Sequence, residues 1–235
     1  MAKSFNREAG ADQLKDFFEK YPSQSFKSGE VIYRPDEDIP FVYYLQEGYV
    51  SQQVVSENGE DFILNIYRPG SYLPISLVLQ GIINDCSYET LTKVVTRRAP
   101  VKEVLHFLKK NPVVMQELLV RLASGLNAMA SKTEALVFGT ASRKIAATLY
   151  FNAQRFGKPA TSAGKPAVKG QGVVIDFPLT HKRIAAMTGI TRETASIEMA
   201  KLKKQGVLSY RGKQVTIFNL GKLYNTCFCQ LPTEK

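Results

Sequence analysis

Between residues 25 and 105 apolar residues come in short runs, with turn signals about every 8–12 residues. The runs are Val31-Ile32-Tyr33, Phe41 to Leu45, Val50 to Val55 and Phe62 to Tyr67. The breaks fall at Gly29-Glu30, Pro35-Asp36, Glu47-Gly48, Glu57-Asn58-Gly59 and Pro69-Gly70. Short strands closed by frequent turns predict an antiparallel sandwich or barrel, because a parallel sheet needs long crossovers between strands. Asn58-Gly59 supplies the positive φ angles of a tight hairpin.

The period changes near residue 101. Val101 to Lys110 is an amphipathic segment ended by Asn111-Pro112, and its His106 reads as a structural or surface histidine. From Pro112 to Phe138 no proline interrupts, and a proline at the start suits a first helical turn. Met115, Leu119, Leu122, Leu126, Met129, Thr133 and Leu136 then alternate at spacings of 4 and 3, all apolar except Thr133. Three heptads of this kind make a seam for a partner helix, and a second copy of the chain is the favoured occupant. Val113, Val114, Leu118 and Val137 are left to pack the helix on its own domain. A further helix is expected from Ala141 to Phe156. The stretch from Gly157 to Gly172, rich in Gly, Pro, Ser and Lys, reads as a flexible basic loop without a compact element. A short strand from Val173 to Phe177 ends at Pro178. No internal repeat is visible.

Composition adds one decisive point. The 235 residues carry a formal net charge of +10, but 1–138 hold 15 Lys/Arg against 17 Asp/Glu, giving −2, whereas 139–235 hold 16 against 4, giving +12. The excess positive charge is confined to the C-terminal part, which suggests that this part meets a polyanion. Hydrophobic residues at 44% and charged residues at 22% are ordinary for a globular chain. No apolar run approaches the ~20 residues of a membrane span, the first twenty residues lack a signal-peptide core, and three cysteines do not suit a secreted disulfide framework. The cytoplasm is the expected compartment, with no membrane partner.

Within the basic part, Thr180 is a candidate N-cap for a helix from His181 to Thr188, Gly189 a turn, and Thr191 the cap of the next helix. Ala185, Gly189 and Ala195 provide the small residues that two closely crossing helices need. Ile184, Ile190, Met199 and Leu202 can fill the core beneath, and Ala195, Met199 and Leu202 form the buried stripe of the second helix. Its opposite face carries Arg192, Glu193, Ser196 and Ile197 near the N-terminal end, the part of a recognition helix that enters the major groove. Arginine can bond guanine O6 and N7, and glutamate can accept from cytosine N4. Thr180, Thr191 and Thr194 suit phosphates near helix N-termini. Lys201, Lys203 and Lys204 supply sequence-blind attraction. Val207 to Tyr210 and Val215 to Phe218 flank Arg211-Gly212-Lys213, a hairpin with a basic tip that places Lys213 near the backbone. Together these features predict a winged helix-turn-helix on double-stranded DNA.

With Gly29, Gly48, Gly59 and Gly70, the long helix, L-T-H-K-R-I-A-A-M-T-G-I-T-R-E-T-A-S and the wing, almost the whole chain resembles the Crp–Fnr family of bacterial transcription regulators. The resemblance implies an α+β chain: a cyclic-nucleotide-binding-like antiparallel β-roll of the double-stranded β-helix or jelly-roll type at 1–110, a dimerisation helix at 111–139, and a winged helix-turn-helix at 140–235. It implies a homodimer on a pseudo-palindromic operator, allosteric control from the β-roll, and RNA polymerase as a further candidate partner. Arg192 and Glu193 match the family's base-contacting pair. The second arginine common five residues on is replaced here by Ile197.

The family's nucleotide-binding members carry a Gly-Glu pair for the ribose and an Arg-Ser/Thr pair for the cyclic phosphate. Here Tyr72-Leu73-Pro74-Ile75-Ser76 follows Gly70, and Cys86-Ser87-Tyr88 stands where the arginine should fall. A buried phosphate without its cation costs several kcal/mol, so cyclic AMP and cyclic GMP are not expected. Arg97 and Arg98 are adjacent on a strand, where side chains diverge. Tyr72, Ile75, Ser76, Ser87 and Tyr88 outline the expected effector pocket, with the effector unidentified. No cofactor is implied, because Cys86 is isolated and Cys227-Phe-Cys229 is too sparse a signal for a metal site. The absence of a metal-ligand cluster, phosphate loop or Ser/His/Asp set argues against an enzyme. A constitutive, ligand-independent DNA binder is the alternative reading.

Overall fold

The computed structural model describes residues 7–56, 59–160 and 172–228. In chain order the elements are α1 (Arg7–Glu19), β1 (Ser23–Phe26), β2 (Val31–Tyr33), β3 (Phe41–Glu47), β4 (Val50–Val55), β5 (Asp61–Tyr67), β6 (Tyr72–Leu73), α2 (Ile75–Gln80), β7 (Ser87–Thr90), β8 (Val94–Pro100), α3 (Val101–Lys110), α4 (Pro112–Phe138), α5 (Ala141–Phe156), β9 (Gly157–Pro159), β10 (Val173–Ile175), α6 (His181–Thr188), α7 (Arg192–Lys204), β11 (Leu208–Arg211), β12 (Gln214–Ile217) and α8 (Leu220–Phe228). They divide into two compact units, one formed by 1–54 and 64–128, the other by 55–63 and 129–235.

The first unit has two four-stranded sheets, ordered β1-β8-β3-β6 and β2-β7-β4-β5. The pairings β1–β8, β3–β8, β3–β6, β2–β7 and β4–β7 are all antiparallel. Strand alternation sorts the side chains into two cores. From β3, Tyr43 and Leu45 turn between the sheets and join Tyr33, Val50, Leu73, Cys86, Tyr88 and Val94. Val42 and Tyr44 turn the other way and pack with Leu14 and Phe18 of α1, Val104 and Leu108 of α3, and Val114 and Leu118 of α4. Each such apolar side chain contributes about 1.5–3 kcal/mol through its removal from water. The turn at Gly48 needs glycine twice over, since φ is +85° and a Cβ would lie 2.2 Å from the Lys93 carbonyl oxygen.

The second unit packs α5 to α8 with a sheet ordered β11-β12-β10-β9. Here the structure differs from expectation at β9, at α8 and at the end of β10, which stops at Ile175 and not at Phe177. Gly157 to Pro159 form strand β9 against β10, inside the stretch read as loop, because the edge of β10 takes a partner whatever its side chains. The remainder of that stretch, 161–171, lies outside the described residues, as do Asn58 of the hairpin turn and Cys229. Helices α1, α2 and α8 were not expected from the hydropathy pattern. Among the described residues no helix is long and apolar enough to cross a membrane, and no group of three or more His, Cys, Asp or Glu could hold a metal ion.

Candidate nucleic-acid interface

The interface is set by two caps and one turn. The Thr180 hydroxyl accepts from the Arg183 N–H at 3.2 Å and starts α6. The Thr191 hydroxyl accepts from the Thr194 N–H at 3.2 Å and starts α7, and the two threonine hydroxyls lie 2.9 Å apart. Gly189, at φ +63°, closes α6 by donating its N–H to the Ala185 carbonyl, a left-handed conformation that glycine adopts without strain. Under the crossing lie Ile184, Ala185, Met187, Ala195, Met199 and Leu202, all buried. Ile190, expected there, is only half-buried, whereas Met187, on the first helix, is fully buried.

That packing points the rest of α7 outward. Arg192 and Glu193 are exposed in the first turn, Ser196 is half-buried, and Ile197 is 58% exposed. No salt bridge holds Arg192 or Glu193 among the described residues, so their side chains are unspent. Lys201 differs, since its ammonium sits 2.6 Å from Glu198 Oε1. Lys204 and Lys213 are exposed, Lys213 next to Gly212 (φ +60°) at the wing tip between β11 and β12. A hydroxyl that caps a helix by accepting still has its own proton to give, as that of Thr180 does.

Helix α4 carries the residues expected to form a seam. Met115, Leu119, Leu122, Leu126 and Met129 are 37%, 65%, 38%, 69% and 52% exposed, while Leu136 is half-buried and the Thr133 hydroxyl bonds back to the Met129 carbonyl. Val114 and Leu118 pack inward as expected. Val113 and Val137 do not: both are exposed, and Ala135 takes the buried position near the helix end.

The five residues of the expected effector pocket are not brought together. Tyr72 and Ile75 belong to the core under α1, where Tyr72 stacks on Tyr44 at 5.0 Å and lies beneath the Arg121 guanidinium. Tyr88 belongs to the core between the sheets. The physical reason is alternation: Tyr72 and Leu73 point to opposite faces of β6, and Leu73 is the one that faces Tyr88. Ser76 and Ser87 are half-buried. Around Tyr88 stand Tyr33, Tyr67 and Cys86. The Tyr67 hydroxyl donates to Gln52 Oε1 at 3.0 Å, and Gln52 Nε2 approaches the Cys86 sulfur at 3.4 Å. Burial pushes the Cys86 thiol up to about 11 and raises the Tyr88 phenol. Arg97 and Arg98 diverge as expected, Arg97 donating to the Tyr21 carbonyl and Arg98 lying over the Phe41 ring.

Cys227 is buried in α8, its thiol likewise pushed up to about 11 by burial, and its carbonyl accepts from Arg143. That is ordinary packing. His106 is exposed on α3.

Comparison with known proteins matches two stretches of the chain. Residues 23–111 match a cyclic nucleotide-binding domain model, and residues 143–226 match a Crp-like helix-turn-helix domain model. The chain is 27% identical over 200 residues to the global nitrogen regulator of Nostoc sp., covering 83% of this chain and 84% of that protein. It is 22% identical over 200 residues to the cAMP-activated global transcriptional regulator CRP of Escherichia coli, covering 85% and 88%. Among solved structures, FixK2 from Bradyrhizobium japonicum aligns with a TM-score of 0.71 at 22% identity, covering 88% of this chain and 96% of that one.

Proposed function

This chain belongs to the Crp–Fnr family of transcription regulators, and from that premise we propose a homodimer that reads one operator half-site with each α7 and answers to an effector other than a cyclic nucleotide. It is a DNA-binding regulator with a helix-turn-helix and an effector-binding type of domain, and its relatives are regulators, not enzymes. One observation carries the finer reading: Arg192 and Glu193 stand exposed in the first turn of a capped helix whose other face is fully packed. Side chains so placed reach base edges, whereas Thr180, Thr191, Thr194, Lys201 and Lys213 would meet phosphates. We divide the chain at 110/111 and 139/140, with α4 as the dimer element. RNA polymerase is a partner only where the operator sits beside a promoter.

Ile197 sets the operator apart from those of two-arginine relatives. An apolar side chain on the groove face cannot donate to guanine but can touch a thymine methyl. Selection from random duplexes should therefore return thymine contacts at one position per half-site. A strong guanine preference there, retained in Ile197→Ala, would sink the idea.

The effector reading rests on Cys86-Ser87-Tyr88, which by the family resemblance holds no arginine where the nucleotide-binding members would carry one for the phosphate. Thermal denaturation with a metabolite panel is expected to show no shift with cyclic AMP or cyclic GMP, and a rise in Tm with some other small molecule that also changes operator affinity. A rise with either cyclic nucleotide overturns this. A second reading, control without any ligand, is favoured by the space between the sheets being filled by Tyr33, Tyr43, Leu73 and Tyr88. It gains if no compound shifts Tm and the purified chain alone binds its operator.

A further inference from the structure

Tyr210 lies in β11, half-buried, and its ring is contacted from two other elements. The ring of His181, the first residue of α6, meets it edge-on with centroids 5.4 Å apart at 86°. Lys203, in the last turn of α7, places its Nζ 4.6 Å from the centroid. One residue further along β11 is Arg211, at the turn that carries Lys213. A single ring thus joins the start of the first helix, the end of the second and the base of the wing.

We propose that Tyr210 is a positioning residue for DNA binding: its ring holds Lys203 and His181 in one frame, so that the cations of α6, α7 and the wing face the phosphates together. A lysine at an exposed helix end spreads over many rotamers, and binding must freeze them. An aromatic face restricts that freedom before DNA arrives, and it does so without cancelling the charge. Lys201 offers the contrast within the same helix. There Glu198 orients the ammonium at 2.6 Å but also offsets its charge. Tyr210 leaves the Lys203 charge whole and its N–H groups open to a phosphate oxygen.

The proposal rests on α6 and α7 facing DNA. The test is anisotropy titration of the full chain on its selected operator and on a random duplex, across a sodium chloride series. Tyr210→Phe keeps the ring and should bind both duplexes within about twofold of the parent. Tyr210→Leu keeps bulk but lacks the π face, and should weaken both by about three- to tenfold while the salt slope falls by about one per protomer. Lys203→Ala should give the same slope change, and the double variant should be no weaker than Lys203→Ala alone, the signature of one shared contact. Loss in Tyr210→Phe equal to that in Tyr210→Leu would assign a direct hydroxyl contact and overturn the positioning role. So would a lowered Tm in Tyr210→Leu with an unchanged salt slope, or additive losses in the double variant. A flat response in Lys203→Ala also overturns it, while Arg192→Ala still altering operator preference would leave the DNA reading of α7 standing.

Discussion

Leu126→Asp is expected to convert the protein to a monomer of about 26.2 kDa and to reduce operator affinity by at least about a hundredfold. Leu126 is 69% exposed in the single chain and lies mid-seam between Leu122 and Met129. In a parallel pair it would face its own counterpart, so one substitution puts two carboxylates into the same apolar contact. Each Leu lost forfeits about 1.5–3 kcal/mol of burial, and each buried unpaired charge adds a penalty of several kcal/mol. No dimer of ordinary stability survives that sum. Operator binding falls with it, because a monomer engages one half-site and loses the gain from two recognition helices set about one turn of DNA apart. Light scattering after gel filtration reads the mass and titration of the two-fold operator reads the affinity. The folded unit is not at stake, since Leu126 contributes little to the core of its own chain, and an unchanged far-ultraviolet spectrum would confirm it. A Leu126→Asp variant that stays dimeric with parental affinity removes α4 as the interface.

What could be read from residues alone follows from how far each signal reaches. The helix-turn-helix is local: Thr180, Gly189 and Thr191 set its ends through bonds three or four residues long, and Ala195, Met199 and Leu202 mark its buried stripe without help from elsewhere. The exposed apolar row of α4 is legible for the same reason, its spacing being a property of one helix. The misses are contacts between distant parts. Phe17 and Phe18 of α1 look like apolar residues in a charged N-terminus, and only the Phe17–Phe107 stack at 4.3 Å and the Phe18–Tyr72 contact make that segment a covering helix. In α8, Leu223 and Cys227 are buried four residues apart, a helical signal that was present but shorter than two turns. The effector pocket failed on register. Alternation says that neighbours on β6 part ways, but not that Leu73 joins the core between the sheets and Tyr72 the core under α1. Val113 failed similarly, because Val114 and Leu118 are the α4 residues that meet the core of Tyr44, Tyr72 and Phe18.

Arg192→Ala is the sharper test of what the DNA-binding unit does. The guanidinium is exposed, makes no ion pair among the described residues and lies one residue past the α7 cap, so its removal disturbs no fold contact. Loss of a bidentate arginine–guanine contact costs about 1–3 kcal/mol, or about 5- to 150-fold in Kd, per half-site. A homodimer carries the change twice, which doubles the free-energy loss on a symmetric operator. Affinity for random DNA should fall only by the value of one cation per protomer, visible as a slightly flatter salt slope. Glu193→Ala should behave differently again, because deleting an acid lowers repulsion from phosphates while it abandons the cytosine it would accept from. Random-DNA binding then rises as discrimination falls. These opposite effects on random DNA, with a shared loss of discrimination, separate base reading from simple charge attraction. If Arg192→Ala lowers operator and random affinity by the same factor, Arg192 is a phosphate contact and sequence is read elsewhere on α7.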